Sequence, residues 1–168
     1  MTITISVNVD CLQRLDVSPV QSVLQPNLVA GTVAAIEQQI QFAINYPREA
    51  NDPRELPEIP EIRLWFIRLD VSYPWLPVLL DWQAGELARY TAMLVPHEFS
   101  PRDGIRYNPE ALELFVMQKV FAVHIWLQQQ GWEGKSRLKG MAQLLGYDLD
   151  DEFFDLLYTD PSLKKRHC

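Results

Sequence analysis

Four residues near the middle of the chain carry the side chains most often recruited for chemistry. His97 and Glu98 follow Pro96, with Asp81 and Asp103 close by in sequence. Imidazole and carboxylate together bind metal or exchange protons. The spacing supports neither. A zinc H-E-x-x-H helix needs a second His four residues on, where this chain has Pro101, and His124 stands alone in an apolar run. A loop-fixing hydrogen bond is the simpler role for His97, and a hydrogen-bonded core position for His124. A small enzyme or metal-binding protein with a site around His97 is kept as the alternative reading.

Other catalytic signatures are missing. The 7 glycines are dispersed and form neither G-x-G-x-x-G nor G-x-x-x-x-G-K, so no loop is written to cradle phosphate. There is no G-x-S-x-G elbow. Cys11 and Cys168 lie at opposite ends, with no C-x-x-C spacing and no catalytic-thiol context. Neither a zinc ribbon nor a disulfide framework is encoded, which points to a reducing compartment. The expectation is a protein with no catalytic centre, cofactor or bound metal.

What remains is an aromatic and charged constellation: Tyr73, Trp75, Asp81, Trp82, Glu86, Arg89, Tyr90, His97 and Glu98. Trp, Tyr and Arg are the types that most often anchor protein interfaces. Three of the 5 tryptophans, Trp65, Trp75 and Trp82, fall between Ile62 and Phe115, beside prolines that fix the backbone. These nine residues are the candidate partner-binding set. The competing reading is structural: a Trp beside an element end is usually core, and Arg89 can simply pair with Glu86 at i, i+3.

Charge narrows the partners. A formal net charge of -7 repels phosphate backbones and anionic lipid, and the one basic cluster is Lys164, Lys165 and Arg166. Met141 to Gly146 resembles the turn of a helix-turn-helix, but the following helix would set Asp148, Asp150, Asp151, Glu152 and Asp155 against phosphate. Acids at a helix start have a simpler role in stabilising its positive end. No nucleic-acid partner is expected.

The elements that must position these residues follow from periodicity. With 168 residues, 48% of them hydrophobic and 22% charged, the chain fits one globular domain that buries roughly two-thirds of its unfolded surface. Ile3, Ile5, Val7 and Val9 alternate with Thr4, Ser6 and Asn8, which predicts a strand with one wet face. Ser18-Pro19 opens a short helix that Pro26 should stop. Val33, Ile36, Ile40 and Ala43 recur at helical spacing and predict a helix over 31–45. Tyr46 to Pro60, with four prolines and the acids Asp52, Glu55 and Glu58 among them, reads as an exposed acidic loop.

Ile62 to Leu69, apolar on both faces at its centre, reads as a second and more buried strand. Its connection to the first strand leaves parallel and antiparallel pairing both open. Gln83 to Met93 reads as a helix. Asn108-Pro109-Glu110 supplies a cap, a preset first residue and an acid for a long core helix that runs to Gln130 and ends at Gly131. Glu113, Lys119 and His124 interrupt that run, so it falls short of a membrane span. Helices over 136–145 and 150–158 close the domain. The fold class is therefore α+β: a sheet of two to three strands packed by a predominantly helical C-terminal half. The domain spans 1–160, with a polar tail over 161–168.

Three strings, LWFIRLD, YPWLPVLLDWQAGELARYTAMLVPHEFS and GIRYNPEALELFVMQKVF, resemble the chlororespiratory-reduction-six family of cyanobacteria and chloroplasts. The likeness continues through RLKGMAQLLGYDLDDEFFDLL, over about residues 62–157. It implies a factor for assembly of the photosynthetic NAD(P)H dehydrogenase-like complex, acting on its immature ferredoxin-like iron–sulfur subunit, NdhI. No catalytic residues come with it. The N-terminus, MTITISVNVD, has no basic or apolar leader pattern, so the cyanobacterial, cytoplasmic form is expected.

Overall fold

The fold is seen in a computed structural model that describes residues 1–159. The expected polar tail, 161–168, lies outside the described residues. The N-terminal strand β1 (Ile3–Asn8) forms as its alternation requires: Ile5 and Val7 are buried while Thr4 and Ser6 face water. Asn8 then caps α1 (Val9–Gln13) by accepting the Cys11 N–H at 3.0 Å. The helix α2 (Ser18–Ala30) opens where Ser18-Pro19 predicts, but Pro26 sits inside it and does not stop it. The Asn27 side chain donates to the Val23 carbonyl at 2.8 Å nearby, and Gly31, at φ 67°, ends the helix.

The helix expected over 31–45 is the first correction. Only a single turn forms, α3 (Val33–Ile36), and Ile40–Asn45 is a strand, β2. Gln38 at φ 55° breaks the helix. Ile40, Phe42 and Ile44 satisfy period two as well as their neighbours satisfy 3.6, and tertiary pairing decides. The strand runs parallel to β1, in register from Ile3 opposite Ile40 to Asn8 opposite Asn45. The helices α1 to α3 supply the crossover that a parallel pair needs.

The second correction concerns Ile62 to Leu69, which is helical. The helix α4 (Pro60–Ser72) has Pro60 at its first position and Glu61 in its first turn. Ile62, Trp65, Phe66 and Leu69 are the buried set, spaced i, i+3, i+4, i+7. Leu64 and Ile67 disguise that spacing because they are apolar yet half-exposed on the outer face.

Before α4, the expected acidic loop is largely open to water but locally braced. Arg54 forks onto Asp52 at 2.7 and 3.0 Å, and its hydrogen bonds hold the Asp52 carboxyl down at about 2. A single 3-10 turn over Leu56–Glu58 is closed by a Glu55/Glu58 capping box.

After a second 3-10 turn over Leu76–Leu79 comes α5 (Glu86–Leu94), close to expectation. The stretch read as a loop around His97 is instead a hairpin, β3 (His97–Ser100) paired antiparallel with β4 (Gly104–Tyr107). Ser100 Oγ accepts the Arg102 and Asp103 N–H groups at 3.3 and 3.2 Å in its turn, and Gly104 takes φ 73°.

Asn108 caps the long helix α6 (Pro109–Gln129) by accepting from Glu110 and Ala111, and Gly131 follows its end at φ 70°. At 1.5 Å per residue, its 21 residues span about 30 Å of core. The helices α7 (Lys135–Leu144) and α8 (Asp151–Thr159) close the domain. Asp150 accepts the Phe153 N–H at 2.7 Å, and Asp151 meets Lys135 and Lys139 of α7 at 3.1 and 3.0 Å. The acids at the start of α8 thus serve the helix end and its neighbour.

One apolar core joins these elements. It holds an ionic group: Lys119, fully buried on α6, bonds to Asp70 Oδ1, which also accepts the Tyr90 hydroxyl at 2.5 Å. No helix of the described residues is long and apolar enough to cross a membrane.

Candidate partner-binding surface

The nine candidate residues fall into three settings. In the first, Trp75 lies face to face on Trp126 of α6, with ring centroids 4.5 Å apart and planes 11° from parallel. Tyr73 and Trp132 meet this pair edge-on at 5.7 and 5.4 Å. The cluster ties the end of α4 to α6. Trp82 belongs with it by role: its Nε1 donates to the Pro77 carbonyl at 2.8 Å. A Cβ on Gly140 of α7 would come within 3.2 Å of the Trp82 ring, so that glycine permits close approach. Asp81 Oδ1 accepts the Ala84 N–H at 3.0 Å.

The second setting surrounds His97. Its Nδ1 sits 3.3 Å from the Val95 carbonyl, its ring faces Tyr107 edge-on at 6.2 Å, and its Nε2 is buried without a hydrogen-bond partner among the described residues. A depression of about 410 Å³ opens here between the hairpin and the start of α6. The acids weighed beside His97 do not converge on it. Asp103 approaches Ser100 at 3.4 Å, Asp81 caps its own turn, and Glu98 is exposed, 4.0 Å from Arg106. Among the described residues no group of three or more His, Cys, Asp or Glu side chains is placed to hold a metal ion. The Tyr107 hydroxyl donates to the Ala88 carbonyl at 2.9 Å, and burial pushes its pKa up to about 12.

The third setting is the most shaped. Glu86, Arg89, Tyr90 and Met93 share one face of α5, at i, i+3, i+4 and i+7. That face meets Phe42 and Ile44 of β2, Phe66 of α4 and Leu56 of the braced loop around a slot of about 170 Å³. The walls are stiff. Phe66 is edge-on to Phe42 at 5.2 Å and to Tyr90 at 5.7 Å, and Tyr90 is pinned from behind through Asp70.

Glu86 is only 1% exposed, yet both its oxygens are bonded: Oε2 accepts the Phe42 backbone N–H at 3.0 Å and Oε1 accepts from Arg89. Arg89 itself is 64% exposed at the rim. Full burial takes Glu86 and Tyr90 off any exposed face, so they shape the slot from within and Arg89 is the member that meets solvent. Ligand and cofactor pockets run to about 300 Å³ and above, so this slot admits a single apolar side chain.

Sequence reasoning missed Phe42, Ile44, Leu56, Phe66 and Met93. The period-two run Ile40, Phe42, Ile44 was the available signal for the first two.

A family model described as chlororespiratory reduction 6 matches residues 7–156. The chain belongs to this family. The match covers every residue around the slot, the tryptophan cluster and the hairpin alike, and it reaches well N-terminal of the strings that carry the resemblance. No solved structure matches the chain.

Proposed function

We propose that this chain is an assembly factor for the photosynthetic NAD(P)H dehydrogenase-like complex, and that it binds the immature ferredoxin-like iron–sulfur subunit NdhI. Membership of the chlororespiratory reduction 6 family over residues 7–156 carries the reading. The slot beside α5 supports it, because a rigid apolar recess rimmed by one exposed arginine suits recognition of another polypeptide. The Pro-rich loop forms one wall of that recess through Leu56, so the helix and the loop act as one surface.

The factor holds its client without storing the cluster. A conventional iron–sulfur site takes four thiolates, and the chain has 2 cysteines, Cys11 and Cys168. The activity is binding, with no covalent bond changed, and its setting is the cytoplasm.

Affinity capture from a low-salt lysate tests this. The immobilised chain should retain NdhI, and metal analysis of the eluate then shows whether the captured subunit already carries iron. Failure to retain NdhI, with other subunits of the complex equally absent, would remove the proposal.

A further inference from the structure

The strand β2 has two edges, and they are treated differently. Its ladder to β1 begins with the Ile3 N–H donating to the Gln39 carbonyl at 2.8 Å, and the parallel register carries that alternation to Asn45. The backbone groups of Gln41, Ala43 and Asn45 therefore serve β1, while those of Ile40, Phe42 and Ile44 point to the opposite edge.

That outer edge is closed over its first half. Ile40 bridges to Leu80, and the Asp81 N–H donates to the Ile40 carbonyl at 3.1 Å. The Phe42 N–H is then taken by Glu86 Oε2 at 3.0 Å, a side-chain oxygen standing where the next strand's carbonyl would lie. Beyond Glu86 the pairing stops. The Phe42 carbonyl and the Ile44 N–H and carbonyl have no partner strand among the described residues. Proteins usually blunt such an edge with charge or proline, and Ile40–Asn45 reads IQFAIN, with neither.

We propose that an extended segment of a partner protein adds to this edge, pairing with Phe42 and Ile44 and placing one apolar side chain in the slot. The unpaired backbone groups select an extended peptide, because main-chain donors and acceptors at strand spacing are what they match. The recess of about 170 Å³ selects one apolar side chain of modest size. Arg89, exposed at the rim and committed on one side to Glu86, selects an acidic residue flanking that anchor. The inference deepens the proposed function and rests on its reading of the slot as the face that meets a client.

The test pairs amide hydrogen exchange with one substitution, using purified NdhI without its cluster and a displayed library of random 12-residue peptides as probes. In the free protein the Ile44 N–H should exchange quickly while the Ala43 and Asn45 N–H groups are protected. On binding NdhI, the Ile44 N–H should become protected. Ile44→Pro removes that donor on the side where a strand tolerates proline and should weaken binding at least about tenfold, whereas Ile44→Val should keep it.

If NdhI binds but Ile44 exchange and the Ile44→Pro affinity are unchanged, strand addition is wrong and the proposed function survives. If NdhI fails to bind while selected peptides protect Ile44, the edge site stands and the client is wrong. If neither probe binds, both fall. Exchange on the native chain decides the matter even if Ile44→Pro does not fold.

Discussion

Glu86 Oε2 accepts the Phe42 backbone N–H at 3.0 Å, joining α5 to β2 across 44 residues of sequence. Removing the carboxylate leaves a half-buried strand donor without an acceptor. Glu86→Ala should therefore lower stability by about 1 to 3 kcal/mol. Glu86→Gln keeps an acceptor oxygen and loses little more than the ion pair to the exposed Arg89, a contribution of about 0 to 1 kcal/mol. Urea denaturation resolves the two, as midpoint shifts at unchanged slope.

The ionic group in the core responds asymmetrically. Asp70→Ala strands the fully buried Lys119 without its counter-ion and should cost about 3 to 5 kcal/mol. Lys119→Met leaves Asp70 with the Tyr90 hydroxyl and partial access to water, and should cost less. An equal loss from both variants, measured in the same denaturant series, would contradict this assignment of burial.

Alkaline pH acts in part through Tyr107 and in part through the buried Tyr90, whose pKa burial also raises. The folded pKa of Tyr107, about 12, lies above the ordinary 10.0, so the folded state keeps the proton that the unfolded chain has already released. That contribution is complete below about pH 10 and is lost as pH rises towards about 12. Tyr107→Phe should make the fall in stability over this window shallower, with Tyr90 contributing to the remainder, read as the difference in urea midpoint between wild type and variant at each pH.

The tryptophan pair and the slot should separate stability from binding. Trp75 and Trp126 stack at 4.5 Å, and a double-mutant cycle should show a coupling of about 0.5 to 1.5 kcal/mol. Trp75→Leu should weaken the fold and leave client capture intact once the protein is folded. Arg89→Gln should do the reverse, lowering stability by no more than about 1 kcal/mol, the contribution of its ion pair to Glu86, while reducing capture.

Much of this architecture was legible in the sequence, and the failures have physical causes. The alternation in β1, the cap and length of α6, and the two closing helices depend on local signals such as Asn108-Pro109 and Gly131, which no tertiary contact overrides. The α4 segment reads as a strand because Leu64 and Ile67 put apolar residues on an exposed face, filling the gaps in a 3.6 period. The Pro60-Glu61 start was the signal that should have prevailed.

At Ile40–Asn45 two periods coexist, and the partners that choose between them, β1 and Leu80, are distant in sequence. For the candidate site, the residue types were legible on α5 but their arrangement was not. The same heptad-like face that offers Arg89 to water buries Glu86 and Tyr90, because the aromatic wall of Phe42 and Phe66 lies against it.

Mixing the purified chain with purified NdhI, before and after cluster insertion, and following both by size-exclusion chromatography addresses the central claim most directly. A stable complex with the immature subunit, lost in Arg89→Gln, is the predicted result. Two separate peaks at every concentration, with both proteins folded, would contradict it.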